Sequence, residues 1–240
     1  AVLPMGGRPR LKMGWQFACN GVCLAPLAKS LRLSATDFNR TGVADVPAEV
    51  TDPSYTPGVI PIAAARLIRK LALAHAADEF TECDLYLERT RLVAEFDLVA
   101  FTTRFMEGKV PDPVDVLSGV KRTAEVLRDP LLSAVRGVEN MVGEDGLMTV
   151  AIDRGYVTVS ARSSKFGYGT VSVPAGGFKG EWSGVARSSD VARALAAAPS
   201  DMVAVGPGGP AQHSLAVKAG VAFYLFDGAH LKAEGDADGE

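Results

Sequence analysis

Few residues of this 240-residue chain are grouped in a way that supports chemistry. Cys19 and Cys23 have a spacing that half of a metal site can use, but no second cysteine pair and no histidine pair at ligand spacing accompanies them. His75, His213 and His230 are scattered and form no constellation with one another or with paired carboxylates. We therefore predict no metal and no cofactor, and we interpret the cysteines as buried or loop thiols.

Motifs for nucleophilic, phosphate-binding or metalloprotease chemistry are also lacking. The sequence has no GxSxG, no P-loop, no HExxH, and no GxGxxG between a strand and a helix. The segment 206–210, GPGGP, contains two prolines between predicted strands, so we interpret it as a hairpin loop. Asp37, Asp45 and Asp97 would form a carboxylate cluster only by an accident of folding. An enzyme is therefore a minor alternative.

Basic residues are concentrated on segments that we predict to be helical. The segment 63–75 has an apolar face of Ala64, Leu67, Ile68, Leu71 and His75, and a second face of Arg66, Arg69, Lys70 and Leu73. A further helix is predicted over 116–128, carrying Lys121, Arg122 and Arg128. A third, over 191–198, carries Arg193; we expect Ser188, Ser189 and Asp190 to cap it and Pro199 to end it. Taken alone, such faces indicate solvated surfaces.

Composition and charge narrow the class of protein. The net charge is −3, with 48% hydrophobic and 22% charged residues, which is typical of a globular chain and does not indicate a nucleic-acid binder. No apolar run approaches about 18 residues, so we expect no membrane span. Three cysteines favour a reducing cytoplasm over a disulfide framework.

One order of predicted elements occurs twice. In each half a strand, a helix and a three-strand meander follow one another: 58–62, 63–75, 83–89, 91–97 and 98–105, then 182–187, 191–198, 202–206, 214–219 and 221–226. Residues 66–71 align with 190–195 at an offset of 124, and residues 31–35 align with 157–161 at an offset of 126. The chain is therefore predicted to be a duplication.

The remaining segments define the predicted domains. Further strands are predicted at 12–20, 30–38, 42–50 and 165–173, a hairpin at 147–161 and a loop around Cys23 and Pro26, while 131–141 is left open as helix or strand. We predict domain 1 at 1–107, a linker at 108–115, domain 2 at 116–228 and a disordered acidic tail at 229–240. At the offset of 126 the helix near 118–128 maps before Ala1, so we expect domain 1 to lack its first strand and helix.

The order of these elements resembles the processivity sliding clamps of DNA replication. The resemblance is carried by GGRPRL (6–11), LRLSATDF (31–38), VIPIAAARLIRKL (59–71) and the hairpin at 91–105. It implies an α+β DNA-clamp fold, with two tandem domains that each have outer antiparallel β-sheets and inner α-helices. Bacterial β clamps have three domains per subunit and form dimers, whereas proliferating cell nuclear antigen has two and forms trimers. A six-domain ring of this chain would be a homotrimer.

The resemblance also implies sites and partners. Clamps encircle duplex DNA without reading its sequence and line the hole with basic helices, and Arg8 stands in the GGRP loop that touches DNA in the bacterial clamp. The implied DNA-binding residues are Arg8, Arg10, Lys12, Arg66, Arg69, Lys70, Lys121, Arg122, Arg128 and Arg193. Phosphate charge on duplex DNA makes inward Lys and Arg favourable.

A second implied site is a groove for short peptides of DNA polymerase and the clamp loader. The matching residues are Met106, Val110, Val114, Val217, Phe223, Tyr224, Leu225 and Phe226. Ring closure is expected through the strand edges within 91–105 and 165–173. The implied location is the cytoplasm, on the nucleoid. The alternative to a DNA-encircling clamp is a clamp-like scaffold for protein interactions.

Overall fold

The computed structural model describes residues 20–37, 40–75, 82–96, 98–107, 120, 122–208 and 214–226. The chain divides into two compact units. The N-terminal unit comprises residues 2–37 and 43–111, and the C-terminal unit comprises residues 38–42 and 112–240 together with Ala1. Antiparallel strands dominate both units, and three helices complete an α+β fold in the described part of the chain.

The N-terminal unit has two sheets and one helix among its described residues. One sheet has the order β3-β2-β1-β4 and the other β5-β6-β7. The bounds are β1 Gly21–Leu27, β2 Ser30–Thr36, β3 Arg40–Pro47, β4 Gly58–Pro61, α1 Ile62–His75, β5 Asp84–Leu87, β6 Arg91–Phe96 and β7 Val99–Arg104. Helix α1 is rich in Ala and Leu, the strongest helix formers, and packs against β1, β4 and β6.

The C-terminal unit repeats this plan with additional elements. Its strands lie in the orders β12-β9-β10-β11 and β8-β13-β14-β15. The bounds are β8 Ala124–Leu127, α2 Arg128–Glu139, β9 Leu147–Asp153, β10 Tyr156–Ser163, β11 Gly167–Gly176, β12 Trp182–Arg187, α3 Ser188–Ala196, β13 Met202–Pro207, β14 Leu215–Ala219 and β15 Ala222–Phe226. The end of β11 pairs with β8 at Ala175↔Val126 and Gly176↔Glu125.

Alternating buried and exposed residues along the strands form part of the core of the C-terminal unit. Met148, Val150 and Ile152 of β9 are buried, while the residues between them face outward, as the two-residue period of a strand requires. Helix α2 buries Leu131, Ala134, Val135 and Val138, a stripe at helical spacing that packs on α3, β10 and β11. Each large apolar side chain buried in this way contributes about 1.5–3 kcal/mol.

The predicted helix over 116–128 is wrong where the structure describes it. Residues 124–127 form strand β8, and the helix begins at Arg128 and includes Pro130. Proline is tolerated in the first turn because the N–H groups there have no partner within the helix. The alternation of buried and exposed residues in β8, paired with β13, overrides helix propensity. The segment left open, 131–141, is helical through Glu139.

The position of α2 also changes the mapping of the repeat. At the offset of 126 residues, α2 corresponds to residues 2–13 rather than to positions before Ala1. Residues 2–13 lie outside the described residues. The same holds for most of the predicted strand over 12–20, for the linker at 108–115 and for the tail at 229–240.

Two local predictions are also wrong. Cys23 and Pro26 lie within β1, not in a loop; Pro26 is tolerated because β4 pairs with β1 only at residues 21–24. Helix α3 begins at Ser188, its N-cap is Arg187, and no side chain caps it. Asp190 instead lies in the first turn, where a negative charge favours the helix dipole. The other predicted strands that lie within the described residues, the helix at 63–75 and the hairpin at 147–161 are confirmed.

Candidate nucleic-acid interface

Helix α1 presents one face of positive charge. Arg66, Arg69 and Lys70 are all exposed, at spacings of three and four residues that place them together on the helix surface. None of the three forms an ion pair with a described residue, and no acidic residue lies in the first turn. This face therefore keeps its full charge for an external anion.

The buried side of α1 differs from the predicted one. Ala64 and Ala65 are buried and Ile68 is half-buried, but Leu67 is 40% exposed. Leu67 belongs to the apolar face predicted from the sequence, but it is not part of the buried side of the helix. Leu67 instead lies beside the three cations and gives the basic face an apolar component.

Arg193 on α3 is exposed but already engaged. Its Nη2 lies 2.8 Å from Asp190 Oδ1, and its Nε donates to the Ser189 carbonyl at 3.0 Å. Asp190 is largely buried and also pairs with Arg40, which belongs to the same unit. Two guanidinium groups thus share one carboxylate.

Arg128 is the first residue of α2 and joins it to the segment after α3. Its Nε donates to Asp129 Oδ1 at 2.9 Å, its Nη1 to the Ala198 carbonyl at 3.1 Å, and its Nη2 lies 3.3 Å from Asp201. The hydrogen bond to Asp129 raises the pKa of Arg128. Most of its donors are therefore used within the unit, which leaves it a weaker candidate for phosphate contact than α1.

One exposed cation on a described helix, Arg136, is absent from the residues predicted from the sequence. It lies in the last turn of α2, away from the buried stripe, and forms no ion pair with a described residue. The pattern of residues 131–141 fits both a helix and a strand, so it assigns no face to Arg136. Arg122 is exposed just before β8 rather than on a helix. The remaining predicted residues, Arg8, Arg10, Lys12 and Lys121, lie outside the described residues.

Four of the six described residues predicted for a peptide groove lie in the core of the C-terminal unit. Val217 and Tyr224 are directly paired across β14 and β15, and both are fully buried. Phe223 and Phe226 are also buried, so both faces of β15 are covered. Leu225 and Met106 are half-buried. Val110 and Val114 lie outside the described residues.

Tyr224 has an unusual environment. Its hydroxyl is buried and has no hydrogen-bond partner within the described structure. Burial raises the pKa of Tyr224 to about 12, because the phenolate would lose its hydration. This side chain is a packing element rather than an accessible ligand group.

Among the described strands, each unit presents one open edge relevant to ring closure. Strand β11 pairs with β8 only at Ala175 and Gly176, so one edge of its first part is open within the described residues. Tyr168 on this strand is 64% exposed, and the neighbouring Phe166 is 57% exposed. In the N-terminal unit, β7 pairs with β6 alone among the described strands, and Val99 is exposed there. Such edges are templates for pairing with another chain.

Other chemistry finds little support in the described residues. They contain no group of three or more His, Cys, Asp or Glu residues placed to hold a metal ion. Asp45 is held by both its oxygens: Arg32 Nε donates at 2.7 Å and Nη2 at 2.8 Å, which lowers the pKa of Asp45. Burial, with a smaller effect from Asp84, raises the pKa of the Cys83 thiol. No helix in the described part is long and apolar enough to span a membrane.

Comparisons with known proteins support the fold. No family model matches the chain, and no curated protein matches it in sequence. Among solved structures, the DNA polymerase sliding clamp of Pseudomonas aeruginosa is similar with a TM-score of 0.78 and 17% identity, covering 94% of this chain and 60% of that one. The polymerase III β subunit of Caulobacter crescentus (TM-score 0.77, 16% identity) covers the same shares.

The clamp of Bartonella birtlesii, solved bound to griselimycin, is also similar, with a TM-score of 0.76 and 18% identity. The match covers 94% of this chain and 60% of the Bartonella clamp. The chain therefore has the sliding-clamp fold and spans about 60% of the length of the clamps that it matches.

Proposed function

We propose that this chain is a sliding-clamp subunit that encircles duplex DNA and tethers DNA polymerase to it. The observation that carries the proposal is the basic face of α1, with Arg66, Arg69 and Lys70 exposed and free of ion pairs to described residues. In a clamp fold the helices line the hole. A protein held on DNA by topology needs only a loose, sequence-independent attraction there, and three unneutralised cations supply it.

The electrostatics support this role more strongly than the total charge does. The chain carries −3 overall, so a local positive face must be set apart from a more acidic remainder. Duplex DNA carries about one negative charge per 1.7 Å, and each phosphate neutralised by Lys or Arg releases counterions. Arg136 and the Arg193 cluster would add to the same attraction, and Arg128 would contribute less.

Ring closure is proposed through the open edges of β7 and β11. Two units per chain and six units per ring require three chains, joined by a repeated head-to-tail interface. Pairing the edge of β11, with exposed Phe166 and Tyr168, to β7 of the next copy would remove two open edges at once. Native mass spectrometry at micromolar concentration tests this closure: a stable monomer or a closed dimer contradicts it.

We propose that partner peptides bind, but to only some of the residues predicted for the groove. Similar clamps have been solved with griselimycin and with a polyethylene glycol bound to the putative β-motif tethering region. In this chain Leu225 and Met106 are the partly accessible residues of the described part of the set, and Val110 and Val114 of the proposed linker lie outside the described residues. We propose that they take short apolar motifs of a polymerase and a clamp loader. The protein then acts in the cytoplasm, on the nucleoid, as a binding factor without catalysis of its own.

The test of the DNA proposal is the triple variant Arg66→Ala, Arg69→Ala, Lys70→Ala. Retention on primed circular DNA should fall, and the slope of log affinity against log salt should decrease by about 0.9 for each phosphate that the variant no longer neutralises. The matched control replaces three exposed cations of the C-terminal unit, Arg162, Lys179 and Arg187, with Ala. Equal retention and equal salt dependence in both variants and the unmodified chain would refute DNA encirclement.

A clamp-like scaffold without DNA binding is the second candidate. The internal use of Arg128 and Arg193 favours it, because two of the predicted inner cations are held by carboxylates of their own unit. Under this alternative the triple variant would keep its polymerase binding and show no DNA phenotype.

A further inference from the structure

A small cleft of ≈ 230 Å³ opens on the outward face of the sheet β12-β9-β10-β11. Its described lining residues all lie between Asp145 and Val185, within the stretch 122–208 that the structure describes without a gap. The volume is below the range of about 300–1,000 Å³ that is usual for drug-sized ligands. The cleft therefore suits a molecule of the size of an amino acid or a single sugar ring.

Strand pairing brings the floor of the cleft together. Thr149 of β9 lies directly opposite Ser160 of β10 on one side and opposite Val185 of β12 on the other. Leu147 lies two residues before Thr149, so the period of the strand places both on the outward face. The floor thus combines two hydroxyl groups with two half-buried apolar side chains, those of Leu147 and Val185.

Arg162 and Tyr168 line the cleft from the side of β11. They lie directly opposite each other in the pairing of β10 with β11, and the side chain of Tyr168 is 64% exposed. Arg162 is exposed and forms no ion pair with a described residue. Its planar guanidinium therefore keeps the paired donors that match a carboxylate.

Asp145 lines the cleft from the other side, before β9 begins. The turn that holds it is closed by a hydrogen bond from the Gly146 N–H to the Gly143 carbonyl at 3.0 Å, with Gly146 at a φ of 71° that favours glycine. The Leu147 N–H donates to Asp145 Oδ1 at 3.0 Å and orients the carboxylate. Asp145 also forms no ion pair with a described residue.

The two charges of the cleft select the kind of ligand. Arg162 and Asp145 are the charged residues of the described lining, and they do not pair with each other. A ligand with one charge is attracted by one of them and repelled by the other. A zwitterion with neighbouring charges satisfies both, and the hydroxyls of Thr149 and Ser160 can hydrogen-bond to either of its ends. A free α-amino acid is such a zwitterion, whereas a peptide terminus carries only one of the two charges.

We propose that this cleft binds a free α-amino acid with an apolar side chain. Arg162 binds the carboxylate, Asp145 binds the ammonium group, and Leu147 and Val185 contact the side chain. The site uses the face of β11 rather than its edge, so it is compatible with the proposed ring closure, and it does not require DNA. Because both charged groups are exposed, solvent screens their attraction, and we expect a dissociation constant in the millimolar range.

The experiment titrates L-leucine into the full isotope-labelled chain and follows its backbone amides by NMR. Saturable shifts should appear at the ends of β9 and β10 that line the cleft. L-Leucinamide lacks the carboxylate and N-acetyl-L-leucine lacks the ammonium group. Each should bind at least about tenfold more weakly than leucine, because each loses a charge-assisted hydrogen bond. Glycine should also bind more weakly, because it has no side chain to cover the apolar floor.

Two protein variants assign each charge of the ligand to its residue. Arg162→Gln should lower the affinity for leucine at least about tenfold and should bind leucine and leucinamide with similar affinity. Asp145→Asn keeps a side-chain oxygen that can accept from the Leu147 N–H, and should bind leucine and N-acetylleucine with similar affinity. The matched control is Lys179→Gln, an exposed cation of the same unit outside the cleft, and should bind as the unmodified chain does. Hydrogen exchange of β9 and β10 confirms that each variant is folded.

Four outcomes overturn the proposal. One is the absence of saturable shifts at the cleft, and another is equal binding of leucine and its two singly charged analogues. The third is tighter binding of glucose than of leucine, which would assign the cleft to a neutral sugar. The fourth is a pair of variants that lose affinity but keep the preference for the zwitterion, which would show that Arg162 and Asp145 do not contact the ligand.

Discussion

The two units share one order of elements but differ in how completely those elements are covered. In the C-terminal unit, α3 packs against α2, and β8 fills the space between β13 and β11. In the N-terminal unit, the described residues supply one helix, and β5 pairs with β6 alone among the described strands. The repeated sequence pattern therefore specifies the order of the elements, whereas the elements packed around each one decide how far it is covered.

The exposed fractions of side chains at equivalent positions on α1 and α3 measure this difference in coverage. Leu67 is 40% exposed, whereas Val191, its counterpart at an offset of 124, is 2% exposed. Lys70 is exposed, whereas its counterpart Ala194 is fully buried. The covered helix has small or apolar residues where the open helix has a cation. The charge of α1 is therefore compatible with the fold only because that side stays accessible.

The largest expected effect is that of Ala194→Lys. It introduces a charge at a fully buried position and should destabilise the C-terminal unit by about 4 kcal/mol or prevent its folding. The control is the reverse exchange at the counterpart, Lys70→Ala, which should change stability by less than about 0.5 kcal/mol. Hydrogen exchange followed separately in each unit makes the measurement. Tolerance of both changes would contradict the difference in coverage.

Truncating the equivalent leucines should give the next largest difference. Leu195 is fully buried and Leu71 is half-buried. Leu195→Ala should cost about 3–4 kcal/mol, because a cavity remains in a packed core, while Leu71→Ala should cost about 1 kcal/mol. Denaturant unfolding monitored by hydrogen exchange in each unit compares them. Equal costs would show that α1 is as well packed as α3.

Tyr224→Phe should stabilise the C-terminal unit. The variant removes a buried hydroxyl that has no described partner, which should add about 1 kcal/mol. The pKa of Tyr224 is raised to about 12 in the folded state. Because an unfolded tyrosine has a pKa of about 10, the stability that its neutral form contributes is complete below about pH 10 and lost as pH rises through about 12.

Alkaline denaturation measures this effect. Between about pH 10 and 12 the unmodified chain should lose stability relative to the Tyr224→Phe variant. Tyr156→Phe, at an exposed position, is the control and should leave the profile unchanged. A destabilised Tyr224→Phe variant at neutral pH would reveal a hydrogen bond to this hydroxyl.

The smallest expected effect concerns the ion pair of the N-terminal unit. Arg32 lowers the pKa of Asp45, so the stabilisation is present above the unfolded pKa of about 4 and is lost as pH falls through the lower folded value. Asp45→Asn should cost about 0.5 kcal/mol at neutral pH, because solvent screens a pair whose carboxylate is 41% exposed. Acid unfolding of the two proteins should converge at low pH, and a difference that persists there would have another cause.

The sequence was sufficient for the parts of the fold that depend on local periodicity. The hairpin of β9 and β10, the meander of β5 to β7 and helix α1 each follow from alternation or helical spacing within one segment. The basic face of α1 was predictable for the same reason. The sheet partners of β8 were not, because the four residues of β8 next to α2 continue a pattern that also fits a helix.

In the candidate site, too, some features follow from sequence spacing and others from tertiary structure. That Arg66, Arg69 and Lys70 share a face is determined by the sequence, since their spacing matches one helical turn. The engagement of Arg128 by Asp201, like the burial of both faces of β15, depends on residues far along the chain, so only tertiary structure decided it. Local spacing specifies which residues share one face of a helix or strand. Packing decides which of them remain accessible to a partner.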